Sequence, residues 1–428
     1  MRFGKGEGHF IASPGNGSRP QVKLLLRTLG IVLALGVVAV GLAQTVVNIG
    51  FSMPLTGAAA KEGTESQVGA QLAASVIEQA GGFQVGDETV TFNIVFEDDE
   101  CNPQAAIEAA NRLAVAGATF VGGSFCSSAA LAQMPVFAAL GIPQVAFAYA
   151  DELTGSARED AGATMAARLG PQARTEMAPL AKYAIEENGD MTFFAMAQNT
   201  DFGRSMLQHF RATAEQLGGS FVAEPEFFPF ANADFRTLLT RARDSGADAI
   251  VAIGLAQEMI GIVLQHDELG IEQTLYGSDL LGDQSVRDAV GIELLMGTFS
   301  PWYYDSGGEA RTFSRQGTEP GAVAMYDAAV AELGIEPSRN HGLGWGTVML
   351  IKQAMERAGS TEPAAVMAEV LSGETFELPY GSYGFLQCGQ ADVRTGVATY
   401  DEAGRLLVAD RDYVGIDPVV LTSEQLCN

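Results

Sequence analysis

Two cysteines stand where predicted parallel strands run into helices. Cys101 lies in Glu97-Asp98-Asp99-Glu100-Cys101-Asn102-Pro103, and Cys126 in Gly122-Gly123-Ser124-Phe125-Cys126-Ser127-Ser128. In an open α/β sheet, ligands gather beyond the carboxyl ends of the strands, where helix N-termini with free N–H groups attract anions. Ser127 stands at such a start and suits a small carboxylate; its lesser role would be to cap its own helix. The acids at 97–100 lack the Asp-x-Asp-x-Asp-Gly spacing of a calcium loop and read as a solvated strand end. In a compartment where thiols oxidise, a bridge between the two loops would lock this rim.

The start of the chain predicts such a compartment. Arg19, Lys23 and Arg27 precede an apolar run over 29–43 that ends in Gly41-Leu42-Ala43. That run is too short to span a bilayer comfortably, and its basic flank and small-residue exit read as a signal peptide, residues 1–44, cleaved near Ala43. An uncleaved anchor is the alternative. No cysteine follows the cleavage site, which argues against a lipid anchor. Removing the leader takes away five basic residues and one acid, leaving 20 basic against 51 acidic residues and a net charge near −31. So acidic a surface repels nucleic acid and anionic lipid and serves solubility. The remaining length, about 384 residues, suggests two domains.

Periodicity predicts the elements that must position the cysteine loops. Strands are expected at 45–52, 89–96, 119–122 and 144–147, with helices between them. The first of these helices ends at Gly81-Gly82, and the second is capped by Asn102 with Pro103 at its first position. This β-α-β order calls for a parallel sheet with right-handed crossovers. The alternation restarts with strands at 191–197, 221–227, 249–254, 275–276 and 296–299, and helices around 171–187, 203–217, 234–245 and 256–269. Three helices follow at 321–333, 342–358 and 362–371, then strands at 397–400 and 406–409 around a hairpin signal.

An enzyme is the main competing class. Gly122-Gly123-Ser124-Phe125-Cys126 begins like a Gly-x-Ser-x-Gly nucleophile elbow, which points to a serine hydrolase, but a cysteine replaces the last glycine. His9, His209, His266 and His341 fall in no zinc or general-base motif, and no cofactor is expected. Gly342-Leu343-Gly344-Trp345-Gly346 lacks the spacing of a dinucleotide loop and suits close helix packing instead.

Ile49-Gly50-Phe51-Ser52-Met53-Pro54-Leu55-Thr56-Gly57, the Asp98–Pro103 turn, Cys126-Ser127-Ser128 and Gly141-Ile142-Pro143 resemble the leucine/isoleucine/valine-binding proteins. These are extracytoplasmic receptors of branched-chain amino-acid ABC transporters. The resemblance implies the α/β type I periplasmic-binding-protein fold, with two Rossmann-like lobes joined by three hinge crossings. Lobe 1 would comprise 45–167 with 302–380, and lobe 2 would comprise 168–301 with 381–428. By the same resemblance Ser127 holds a ligand carboxylate, Cys101 pairs with Cys126, Ala148, Tyr149 and Ala150 form the contact loop after the fourth strand, and Asp279 meets the ligand's ammonium. An excluded-water site needs such a partner for each charge.

Departures from that pattern shape the ligand. Ala150 replaces a threonine, while Glu62 and Leu255 fall where the family has aromatics; Tyr149, Phe202 and Trp302 then offer replacement walls. A polar or basic amino acid, or a related amide, is expected rather than leucine. Two of these acids also have plainer readings, Asp279 as the cap of a helix starting near Gly282, and Glu62 as a solvated loop acid. Four cysteines allow three connectivities, the simplest being Cys101–Cys126 with Cys388–Cys427. The expected protein is a monomeric periplasmic carrier that closes on its ligand and delivers it to membrane permease subunits; a ligand-binding sensor is the alternative.

Overall fold

The strand β1 (Thr45–Met53) is half-buried at its start and buried on both faces from Ile49 onward, as a central parallel strand must be. A computed structural model of the chain describes residues 44–302, 320–393, 395–400, 406–409 and 427. The expected leader, the chain between Trp302 and Pro320, and the turn between the last two strands lie outside these residues.

The first sheet follows β1 with α1 (Ala60–Gln79), β2 (Phe83–Val85), β3 (Glu88–Asp98), α2 (Pro103–Val115), β4 (Phe120–Gly123), α3 (Ser127–Leu140), β5 (Gln144–Ala146), α4 (Ser156–Asp160) and β6 (Ala166–Arg168). Its order is β2-β3-β1-β4-β5-β6, parallel except where β2 turns back on β3. β1 therefore has β3 on one side and β4 on the other, and the loops after these strands share one crevice. Asn102 caps α2 as expected, its side chain accepting from the N–H groups of Gln104 and Ala105.

The second sheet and the helices around it comprise α5 (Ala173–Glu186), β7 (Thr192–Gln198), α6 (Asp201–Gln216), β8 (Ser220–Phe221), β9 (Glu226–Phe228), α7 (Arg236–Asp244), β10 (Ala249–Ile253), α8 (Ala256–Glu268), β11 (Thr274–Gly277) and α9 (Gln284–Val290). The sheet runs β11-β10-β7-β8, with β9 also paired to β7, and all these pairs are parallel. The single strand expected over 221–227 is two short ones, because residues 222–225 leave the sheet between them. The strand expected over 296–299 is not formed. Only bridges occur at Met296 and Phe299, and the strand β12 (Ser300–Trp302) begins one residue later.

Three helices follow, α10 (Pro320–Leu333), α11 (Arg339–Ala358) and α12 (Pro363–Val370), and α11 packs along α1. Gly344 makes that crossing possible, since a β-carbon there would overlap the Ser66 carbonyl of α1. The hairpin of β13 (Phe376–Leu378) and β14 (Gly381–Tyr383) also lies against α11 and α10. Finally β15 (Gly396–Tyr400) pairs antiparallel with β12 and with β16 (Leu406–Ala409), beside α5.

Candidate functional site

Ser127 opens α3 directly beyond β4, with Cys126 as the extended N-cap residue. A disulfide from Cys126 to Cys101, with Cα atoms 5.3 Å apart, ties this helix start to the turn before α2. The second disulfide joins Cys388 to Cys427. Asp99, expected to be solvated, is fully buried instead. Its carboxylate accepts from Ser52 Oγ at 3.2 Å and from the Cys101 N–H at 2.9 Å, so it braces the turn from inside. Burial nevertheless holds its carboxyl above the usual range.

The loop after β5 closes over Ser127. The Ala150 N–H donates to Ser127 Oγ at 3.2 Å, and Ala148, Tyr149 and Ala150 are all buried. Arg168, at the end of β6 and wholly buried, donates to the carbonyls of Tyr149 and Ala150, both at 2.6 Å. Burial lowers its guanidinium to about 10, which still leaves it charged at neutral pH. Ser127, Tyr149, Phe202 and Leu255 line one small hollow together with Phe125 and Leu280. Both sheets contribute to it, because Ser127 follows β4 while Phe202 and Leu255 follow β7 and β10.

Asp279 lies in a 3₁₀ turn (Asp279–Gly282) after β11 and is buried. It is not the cap of the next helix. Asp283 takes that role, accepting from the Ser285 N–H at 2.9 Å. The Tyr149 hydroxyl donates to Asp279 Oδ2 at 2.8 Å, and Arg339 Nη1 donates to the same oxygen. A second cavity of about 220 Å³ lies beside this pair, lined by Asp279, Asp283, Trp302, Ser338 and Arg339. Thus the acid expected to meet a ligand's ammonium already has a cation of the protein on one oxygen, while its Oδ1 has no hydrogen-bond partner.

Glu62 is also corrected: it lies in the first turn of α1 and is 2 % exposed, not solvated. Burial raises its carboxyl to about 7, with nearby Asp283 adding to the rise. It lines neither cavity. For Asp283, burial acts upward but Arg339 and Lys61 outweigh it and hold the group below its usual range.

Sequence reasoning missed Arg168, Glu176 and Arg339. Arg339 carried a readable signal, because a cation in the first turn of a helix opposes the macrodipole and needs a nearby anion. Arg168 is a lone charge in an otherwise apolar strand. Glu176 carried none, since an acid in the first turn of α5 is ordinary.

Residues 46–404 match the model described as periplasmic binding protein. The chain belongs to that family. It is 26% identical over 360 residues to the leucine-, isoleucine-, valine-, threonine- and alanine-binding protein of Pseudomonas aeruginosa, covering 83% of this chain and 89% of that one. Among solved structures, a leucine-binding protein from Thermotoga maritima matches with a TM-score of 0.73 at 22% identity, covering 85% of this chain and 98% of that one. A solute-binding protein of an ABC transporter from Rhodopseudomonas palustris, solved with 3,4-dihydroxybenzoic acid, matches with a TM-score of 0.72 at 19% identity, covering 85% and 95%. These likenesses bear out the type I fold, and the family makes the chain an exported small-molecule binder rather than an enzyme. No helix among the described residues is long and apolar enough to cross a membrane.

Proposed function

We propose that this chain is the extracytoplasmic receptor of an ABC importer, which binds an amino acid or related small polar molecule between its lobes and presents it to a membrane permease. One observation carries the reading: adjacent residues of one loop reach both, the Ala150 N–H donating to Ser127 Oγ at a helix start of the first lobe and the Tyr149 hydroxyl donating to Asp279 of the second. A helix N-terminus suits a carboxylate, and an acid from the facing lobe suits an ammonium, so one zwitterion would bind both lobes. The lobes are taken as 45–167 with 302–380, and 168–301 with 381–428. A leader removed near Ala43 would deliver a monomer to the periplasm. Ala150 and Leu255 weigh against leucine, because the first removes a hydroxyl and the second removes aromatic surface.

A second reading, an aromatic carboxylate, draws on the hollow at Ser127, where Phe125, Tyr149, Phe202 and Leu255 would face a ring, and on Arg339 already pairing Asp279. Native mass spectrometry of gently purified protein, followed by a thermal-shift panel of amino acids, amides and benzoates, separates the two. Stabilisation by leucine and valine only would defeat the polar-ligand reading, and stabilisation by benzoates alone would favour the second.

A further inference from the structure

Glu176 is fully buried in the first turn of α5, and neither of its carboxyl oxygens has a hydrogen-bond partner. The charged groups whose fields reach it are Asp279, from the turn after β11, and Arg339, from the start of α11. Arg339 Nη1 and the Tyr149 hydroxyl both serve Asp279 Oδ2, which leaves Asp279 Oδ1 open. Two buried acids therefore share one guanidinium, and three of their four oxygens lack a donor. Buried charge in a native protein is ordinarily paired, and a site that keeps orphaned acids has a use for them.

We propose that Glu176 and Asp279 Oδ1 together hold the cationic nitrogen of the ligand, so that Glu176 is a ligand-binding residue and the ligand must bring a protonated amine. This rests on the amino-acid reading above. An ammonium has three donors, enough to serve both acids and one more acceptor. Arg339 keeps its place on the far oxygen of Asp279 and orients it. In the ligand's absence, burial and the Asp279 charge hold the Glu176 carboxyl well above the usual range, and a cation bound beside it would bring it down. A bound cation therefore favours the carboxylate and the release of protons to solvent.

The test uses the full chain, the common L-amino acids and their des-amino carboxylic acids as probes. The amino acid with the largest thermal shift is then titrated calorimetrically at neutral pH in two buffers of different ionisation enthalpy. Wild type should release protons on binding, whereas E176Q should release fewer and bind about tenfold or more weakly. Equal affinity and an equal proton count in E176Q overturn the assignment and leave the amino-acid reading standing. Des-amino acids binding as well as amino acids overturn the assignment too, without recourse to a variant. If no amino acid stabilises the protein, both fall.

Discussion

In the proposed reading, the ligand's negative end depends on Ser127. Ser127→Ala removes a hydroxyl that accepts from Ala150 and would face a charged group, an interaction worth roughly 1.5 to 3 kcal/mol. Affinity for the ligand found by mass spectrometry should fall about tenfold or more in calorimetry, and an unchanged Kd would remove Ser127 from the site. Glu62 makes a different prediction. Its carboxyl is raised to about 7, so between its unfolded value and that point the native state holds the extra proton. Stability is then greatest at low pH and falls as pH rises through this window, by roughly 3 kcal/mol for a shift of this size. Glu258, raised to about 7 by burial, acts in the same direction. Urea unfolding from pH 4.5 to 7 should show the decline, and Glu62→Gln should flatten part of it. Equal slopes in both proteins would mean that Glu62 ionises freely.

At the scale of elements, the glycine run at 342–346 was legible as helix packing, and its consequence is testable. Gly344→Ala puts a methyl group into the α1 backbone, and overpacking of this kind costs about 1 to 3 kcal/mol. A melting temperature unchanged by that substitution would show that the helices can separate at no cost. The Cys101–Cys126 bridge closes a sequence separation of 25, for which chain entropy alone predicts roughly 3 to 4 kcal/mol. Long elements were visible because their periodicity repeats. The short strands β2, β6, β13 and β14 were not, since each spans three residues and exists through its neighbour in the sheet.

Across the whole molecule, side chains join the two lobes at several points. Tyr149 and Arg339 meet Asp279, Lys61 lies 3.6 Å from Asp283, and His209 Nε2 lies 2.6 Å from Asp151 Oδ2. The Asp201 N–H also donates to Ser128 Oγ at 3.4 Å. A ligand touching both lobes adds to these contacts only when they are joined, and so shifts the population toward closure. Small-angle scattering should show compaction when the tight ligand is added; an unchanged radius of gyration would refute hinge closure. His209→Ala loosens the rim and should weaken apparent affinity in proportion to the closed fraction lost.

The chain's own pattern determined the two rounds of strand–helix alternation, the helix start at Ser127 and the family, because period, caps and turns are local properties. Tertiary structure alone decided which charges meet. Asp279 and Arg339 are 60 residues apart, and Tyr149 and Asp279 130. Nothing local in Asp99 or Glu62 distinguishes a buried acid from a solvated one. Burial depends on what packs above a side chain, and only the assembled lobes supply that neighbour.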